Sequence, residues 1–150
     1  MKKIIFLCAT AIFSTGIFAS PVGIPDRSEK IMKIFHHDFP EIINPKIYPV
    51  GNNYMIYFKN ENDNSSCRIY YDSAGVVLET YKYYSGDELA PFIRAKIIAD
   101  YPGKKITGVT EVASSSEHYY HISLEDSHSL FVINVDATGN IHVEKKYTKE

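Results

Sequence analysis

The sequence predicts an α+β chain of two tandem units, each a helix followed by about four strands, with both helices packed on one face of an antiparallel sheet. Three observations carry this. Asp38-Phe39-Pro40 recurs as Asp100-Tyr101-Pro102, each preceded by apolar residues at helical spacing. After each proline come short segments in which apolar residues alternate, the period of half-buried antiparallel strands. Each unit also holds one D-x-x-G turn, Asp72 to Gly75 and Asp136 to Gly139, between two such segments.

The chain opens MKKIIFLCATAIFSTGIFAS. Lys2 and Lys3, an apolar run and the small Ala19 follow the order of a cleavable secretory signal peptide over residues 1–19. The run is broken by Thr10, Ser14, Thr15 and Gly16, and is short against the roughly 20 residues of a membrane span. No later segment is apolar enough to span, and Cys8 lies too early to become a lipid-bearing first residue. A periplasmic or secreted protein follows. Loss of Lys2 and Lys3 moves the formal charge from −2 to −4, which argues against nucleic acid as a partner. Cys67 is then the only cysteine, so no internal disulfide forms. Its place in the alternation Cys67, Ile69, Tyr71 reads as a small buried hydrophobe.

The first unit, residues 20–84, starts with a helix striped by Ile31, Phe35 and Phe39. The second, residues 85–150, starts with one striped by Ile93, Ile97 and Tyr101. Asp26-Arg27-Ser28-Glu29 and Ser85-Gly86-Asp87-Glu88 both fit a polar cap with Glu three residues on. Pro91 suits a first turn, and Pro40 and Pro102 end the helices, because the residue before proline is driven out of the helical region. Strands are expected near Ile47–Val50 and Ile106–Val112. Tyr54, Ile56 and Phe58 mark another and match Tyr120, Ile122 and Leu124; Cys67, Ile69 and Tyr71 match Phe131, Ile133 and Val135. The turns then fix a register, with Asp72 opposite Val76, Tyr71 opposite Val77, Asp136 opposite Asn140 and Val135 opposite Ile141. Counting onward places Tyr81 and Tyr83 beside Tyr71 on the helix side, Leu78 and Thr80 on the other, and Val132 opposite Glu144. Joining the units would give a common core.

These residues carry a likeness. A helix ending in Asp38-Phe39-Pro40 or Asp100-Tyr101-Pro102, an alternating strand pair and an Asp72-x-x-Gly75 or Asp136-x-x-Gly139 hairpin resemble the PepSY-like, beta-lactamase-inhibitor-like exported proteins. The resemblance implies tandem helix-plus-sheet repeats, an exported chain and no catalytic residues. It also implies that the open sheet face can clasp a protein.

The sequence offers no convergent chemistry. G-x-S-x-G, H-E-x-x-H, a glycine-rich phosphate loop and CxxC are all absent. His36 and His37 are adjacent on a helix and diverge, while His118 and His121 fall on opposite faces of a strand. His121 and His142 share the open face about two strands apart, too far for the roughly 2 Å bonds of a zinc site. Residues 59–66 (KNENDNSS) lack the glycine and distal Glu of a calcium loop. No metal, no cofactor and no enzymatic activity are expected. What remains is binding. Met55, Tyr57, Arg68, Tyr70 and Leu78 should line the open face of the first unit, with His121 and His142 on that of the second. Tyrosine and arginine favour protein interfaces, so the expected partner is a periplasmic protein or peptide. The alternative is an envelope-maintenance protein that self-associates through the same face.

Overall fold

The computed structural model describes residues 27–149. The signal peptide at 1–19 and the Asp26 cap lie outside them. The elements run α1 (Arg27–Asp38), β1 (Lys46–Val50), β2 (Asn53–Asn60), β3 (Ser65–Tyr71), β4 (Val77–Tyr84), a 3-10 turn (Gly86–Glu88), α2 (Pro91–Asp100), β5 (Lys105–Ser114), β6 (His118–Glu125), β7 (Ser129–Asp136) and β8 (Ile141–Thr148). Among the described residues no helix is long and apolar enough to cross a membrane. The eight strands form one antiparallel sheet in chain order, each paired with the next.

Both helices stop ahead of their proline, at Asp38 and Asp100. The start of α2 differs from the sequence reading. Ser85 makes no side-chain cap; residues 86–88 form the 3-10 turn, and α2 begins at Pro91 behind Ala90. Proline has no N–H to leave unpaired in a first turn. Gly86, meanwhile, lies so close to Ile106 that an added Cβ would stand 2.5 Å from its Cγ2, which holds the turn down on β5.

The core is double, not common. Under α1, Ile31 and Phe35 pack with Ile42, Ile56, Phe58, Ile69 and Tyr71. Under α2, Ile93 and Ile97 pack with Leu89, Val109, Tyr120, Ile122, Leu124, Ile133 and Val135. The register puts both on one sheet face: Ile69 opposes Thr80 on β4, and Tyr84, two pairs along on the same side, opposes Val109. Between the clusters the β4–β5 ladder runs from Glu79↔Ser114 to Tyr84↔Val109. Polar contacts on the helix side tie this seam. Lys82 reaches Asp63 of the β2–β3 turn at 2.8 Å and Glu88 at 3.7 Å, and the Tyr84 hydroxyl donates to Glu111 at 3.0 Å.

The two D-x-x-G turns form as read. Asp72 accepts the backbone N–H of Ala74, Gly75 and Val76 at 2.8 to 2.9 Å. Its N–H donates to the Val76 carbonyl at 2.9 Å, and Asp136 donates likewise to Asn140 at 3.1 Å. Tyr71 opposes Val77 and Val135 opposes Ile141. The count then fails in both hairpins, after Tyr71↔Val77 in the first and after Ile133↔Val143 in the second, because each second strand carries an extra residue. Tyr70 opposes Glu79, so Leu78 is inserted; Val132 opposes Lys145, not Glu144, so Glu144 is inserted. A bulge of this kind sets two residues against one and reverses the alternation beyond it. Thr80 therefore moves to the helix side, opposite Ile69, and Tyr81 and Tyr83 move to the open face.

Candidate functional site

The face free of helices is the candidate site, and its layout follows from the pairing alone. Tyr57 opposes Arg68, Arg68 opposes Tyr81, Tyr81 opposes Val112, and Val112 opposes Tyr119. Directly opposed residues have Cβ atoms about 5 Å apart, so these five side chains form a continuous row across β2 to β6. A second row alongside holds Tyr48, Met55, Tyr70 and Glu79.

Tyr83 lies beside the first row, opposite Ser66, and three of the rings on this face touch in sequence. Tyr70 meets Tyr81 edge-on at 5.8 Å, Tyr81 stacks on Tyr83 at 6.4 Å, and the Arg68 guanidinium lies 5.2 Å from the centre of the Tyr83 ring. Val112 is the clearest sign of their effect. No helix covers this face, yet Val112 is only 1% exposed, roofed by its neighbours Tyr81 and Tyr119. The rings are thus a packed layer, half-buried and held in place, and that makes a rigid platform. The Tyr81 hydroxyl donates to Glu79 at 2.7 Å. That bond, with burial, raises its pKa to about 12, and burial also raises Tyr83 and Tyr119. All three phenols are therefore protonated donors at neutral pH.

The second unit gives this face a different character. His121 opposes Asn134 and Asn134 opposes His142, so both histidines lie on the open face with a strand between them. His121 pairs with Glu144 at 3.2 Å. His121 and Glu144, with Tyr119, Asn134 and Asp136, border an open hollow of about 640 Å³. Hydrogen bonds from Thr138 and Asn140 hold the Asp136 carboxyl well below the usual range. Among the described residues no group of three or more His, Cys, Asp or Glu is placed to hold a metal ion. Cys67 faces the helix side at the seam, where burial pushes its thiol pKa up.

Of the residues the sequence nominated, Met55, Tyr57, Arg68 and Tyr70 are brought together. His121 and His142 share the face but belong to the polar end. Leu78 is a correction: as the inserted residue of the β4 bulge it stands outside the aromatic rows, exposed near the turn. Tyr81, Tyr83, Val112 and Tyr119 were missed. The signal that could have found the first two is the run Val76-Val77-Leu78, three consecutive apolar residues that no simple alternation allows.

With this geometry described, solved structures supply a comparison. A beta-lactamase-inhibitor-like (BLIP-like) protein from Bacteroides fragilis aligns over 81% of this chain and 87% of its own, with a TM-score of 0.62 at 13% identity. A DUF2874 family protein from Bacteroides ovatus aligns over 83% and 86%, with a TM-score of 0.61 at 13% identity. A Bacteroides eggerthii protein provisionally assigned to the periplasm aligns over 83% and 88%, with a TM-score of 0.61 at 12% identity. The fold is beta-lactamase-inhibitor-like. At these identities the inhibitor-like likeness extends to the fold alone. No family model matches the chain and no curated protein does, so the PepSY likeness of its motifs remains a resemblance.

Proposed function

We propose that this chain is an exported, non-catalytic binding module that holds a protein or peptide partner on the open face of its sheet. The carrying observation is the packed tyrosine layer around Arg68, Tyr70, Tyr81 and Tyr83, on a face that neither helix covers. Rigid aromatic area with a fixed cation gives a partner contact without a large ordering cost. The likeness to an inhibitor-like protein and to one assigned to the periplasm supports an exported binder. The chain divides in this reading at 84/85 into two repeats, the first with the aromatic end and the second with the polar end. Crosslinked pull-down from periplasm tests the proposal. Replacing Tyr57, Tyr70 and Tyr81 together by serine should abolish a capture that the unaltered chain gives, with fold retained by circular dichroism; undiminished capture would move the site off this face.

A second reading, self-association in the envelope, is favoured by one feature. Lys46, Lys59 and Arg68 stand at one end of the face and Glu117, Asp136 and Glu144 around the hollow at the other. Two copies laid head to tail would match these ends. A sedimentation mass of twice the chain, reduced to one by the triple serine variant, would favour it.

A further inference from the structure

The register gathers three cations around one ring. On the open face Tyr57 opposes Lys46 on one side and Arg68 on the other, while Lys59 lies two residues along the same strand. Neighbouring strands stand about 4.8 Å apart and alternate residues about 6.7 Å along, so the three cations are the immediate register neighbours of Tyr57 on this face. All three side chains belong to exposed residues. Among the described residues none of them has an ion-pair partner, and the Arg68 contact with the Tyr83 ring is the only polar interaction in the set. Of the acids nearby, Glu79 accepts from the Tyr81 hydroxyl, and Glu41 and Glu61 border a hollow with Lys59 without forming an ion pair to it. Elsewhere Lys82, Lys96, Lys104 and Lys149 pair with Asp63, Asp100, Asp126 and Glu125, while Lys33, Lys105, Lys145 and Lys146 have no ion pair among the described residues but are not gathered around one residue as these three are. A net-negative chain thus keeps three uncompensated positive charges on its aromatic platform.

We propose that the partner presents an acidic segment here: a carboxylate-rich loop or peptide whose acid groups are taken by Arg68, Lys59 and Lys46 around the Tyr57 ring. This rests on the open-face reading and adds the chemistry of the occupant. A guanidinium offers a carboxylate two parallel hydrogen bonds, and it is better fixed when its other side lies on a ring, as Arg68 lies on Tyr83. The lysines add charge that steers approach. The chain's net charge is negative, so such a ligand is attracted only where cations are locally concentrated, as they are here.

The test uses the full mature chain, with short poly-L-glutamate as probe, followed by backbone amide shifts in solution NMR. Shifts should cluster at Lys46, Tyr57, Lys59, Arg68 and Tyr83. Affinity should fall about tenfold in the double variant Arg68→Gln with Lys59→Gln, the size expected for lost charge-assisted bonds. It should also weaken as salt shortens the screening length. Poly-L-lysine should leave these residues unmoved. Shifts centred elsewhere, as around Arg94, Lys104 and Lys105, would overturn the proposal, and so would equal response to poly-L-lysine. Binding to phosphatidylglycerol vesicles without response to poly-L-glutamate would overturn it in favour of a lipid surface. A dimer broken by Arg68→Glu would overturn it in favour of the acidic end of a second copy. If the periplasmic partner is lost from the triple serine variant but retained by the double glutamine variant, the acidic segment is refuted and the open-face reading survives.

Discussion

Replacing Gly86 by alanine tests how the second unit is seated. A Cβ there would meet Ile106 Cγ2 at 2.5 Å and Ile106 Cβ at 2.7 Å. The second of these atoms is rooted in the backbone of β5 and cannot swing aside, so the 3-10 turn must lift. Gly86 does not occupy the left-handed region, so the substitution carries no dihedral penalty. Steric overpacking of this kind costs about 1–3 kcal/mol. Gly108 supplies the control two residues past Ile106 on the same strand. An added Cβ meets nothing within 4 Å there, and its φ is also ordinary. Gly108→Ala should leave stability unchanged or raise it by up to about 1 kcal/mol, through the narrower freedom of the unfolded chain. The two variants should thus differ by roughly 2 kcal/mol, or about 8 °C in thermal midpoint for a domain of this size. Paired melts followed by circular dichroism read this directly. Equal midpoints would refute the seating of the turn on Ile106.

Tyr71→Phe should stabilise the protein by about 1 kcal/mol, since the Tyr71 hydroxyl is buried without a hydrogen-bond partner; a loss of stability in urea unfolding would show that this hydroxyl is bonded. Lys82 and Ser65 hold the Asp63 carboxyl down at about 2, against 3.8 for a free side chain. A lowered folded-state value means that its stabilisation is present above about pH 4 and is lost as pH falls towards 2, worth about 1 kcal/mol after allowance for its partial exposure. Lys82→Met should flatten that part of an acid titration of stability, and an unchanged titration would contradict the assignment. Tyr81→Ala should cost about 2 kcal/mol by unroofing Val112. Tyr48→Ala at the sheet edge, where the ring is 43% exposed, should cost less than half of that; equal losses would mean that the rings do not form a layer.

Much of the fold was legible because its turns carry their own chemistry. Asp72 and Asp136 accept the N–H groups of their own turns, and Gly75 and Gly139 take positive φ, so each hairpin is fixed by four residues that are adjacent in sequence. Pro40 and Pro102 likewise act on the residues just before them. The illegible features depend on distant partners. The Ser85–Glu88 run satisfies a capping pattern locally, but contact with Ile106, twenty residues on, holds Gly86 against β5. The insertions at Leu78 and Glu144 are visible only once the facing strand is in place. That one-residue difference hid half of the candidate site, since Tyr81 and Tyr83 changed faces with it. Tyr57, Arg68 and Tyr70 lie on strands without such an insertion and were found by alternation alone. The separation into two cores was also hidden, because Lys82, Glu111 and Tyr84 at the seam read as ordinary strand residues.

The central claim is that the open face, and not the helix face, meets the partner. Site-specific photocrosslinking in intact cells tests it most directly, with a benzophenone side chain placed at Tyr57 or, for comparison, at Phe92, which is 56% exposed on α2. The account predicts an adduct with another protein from position 57 and none from position 92. An adduct from position 92 alone, or from neither position, would contradict it.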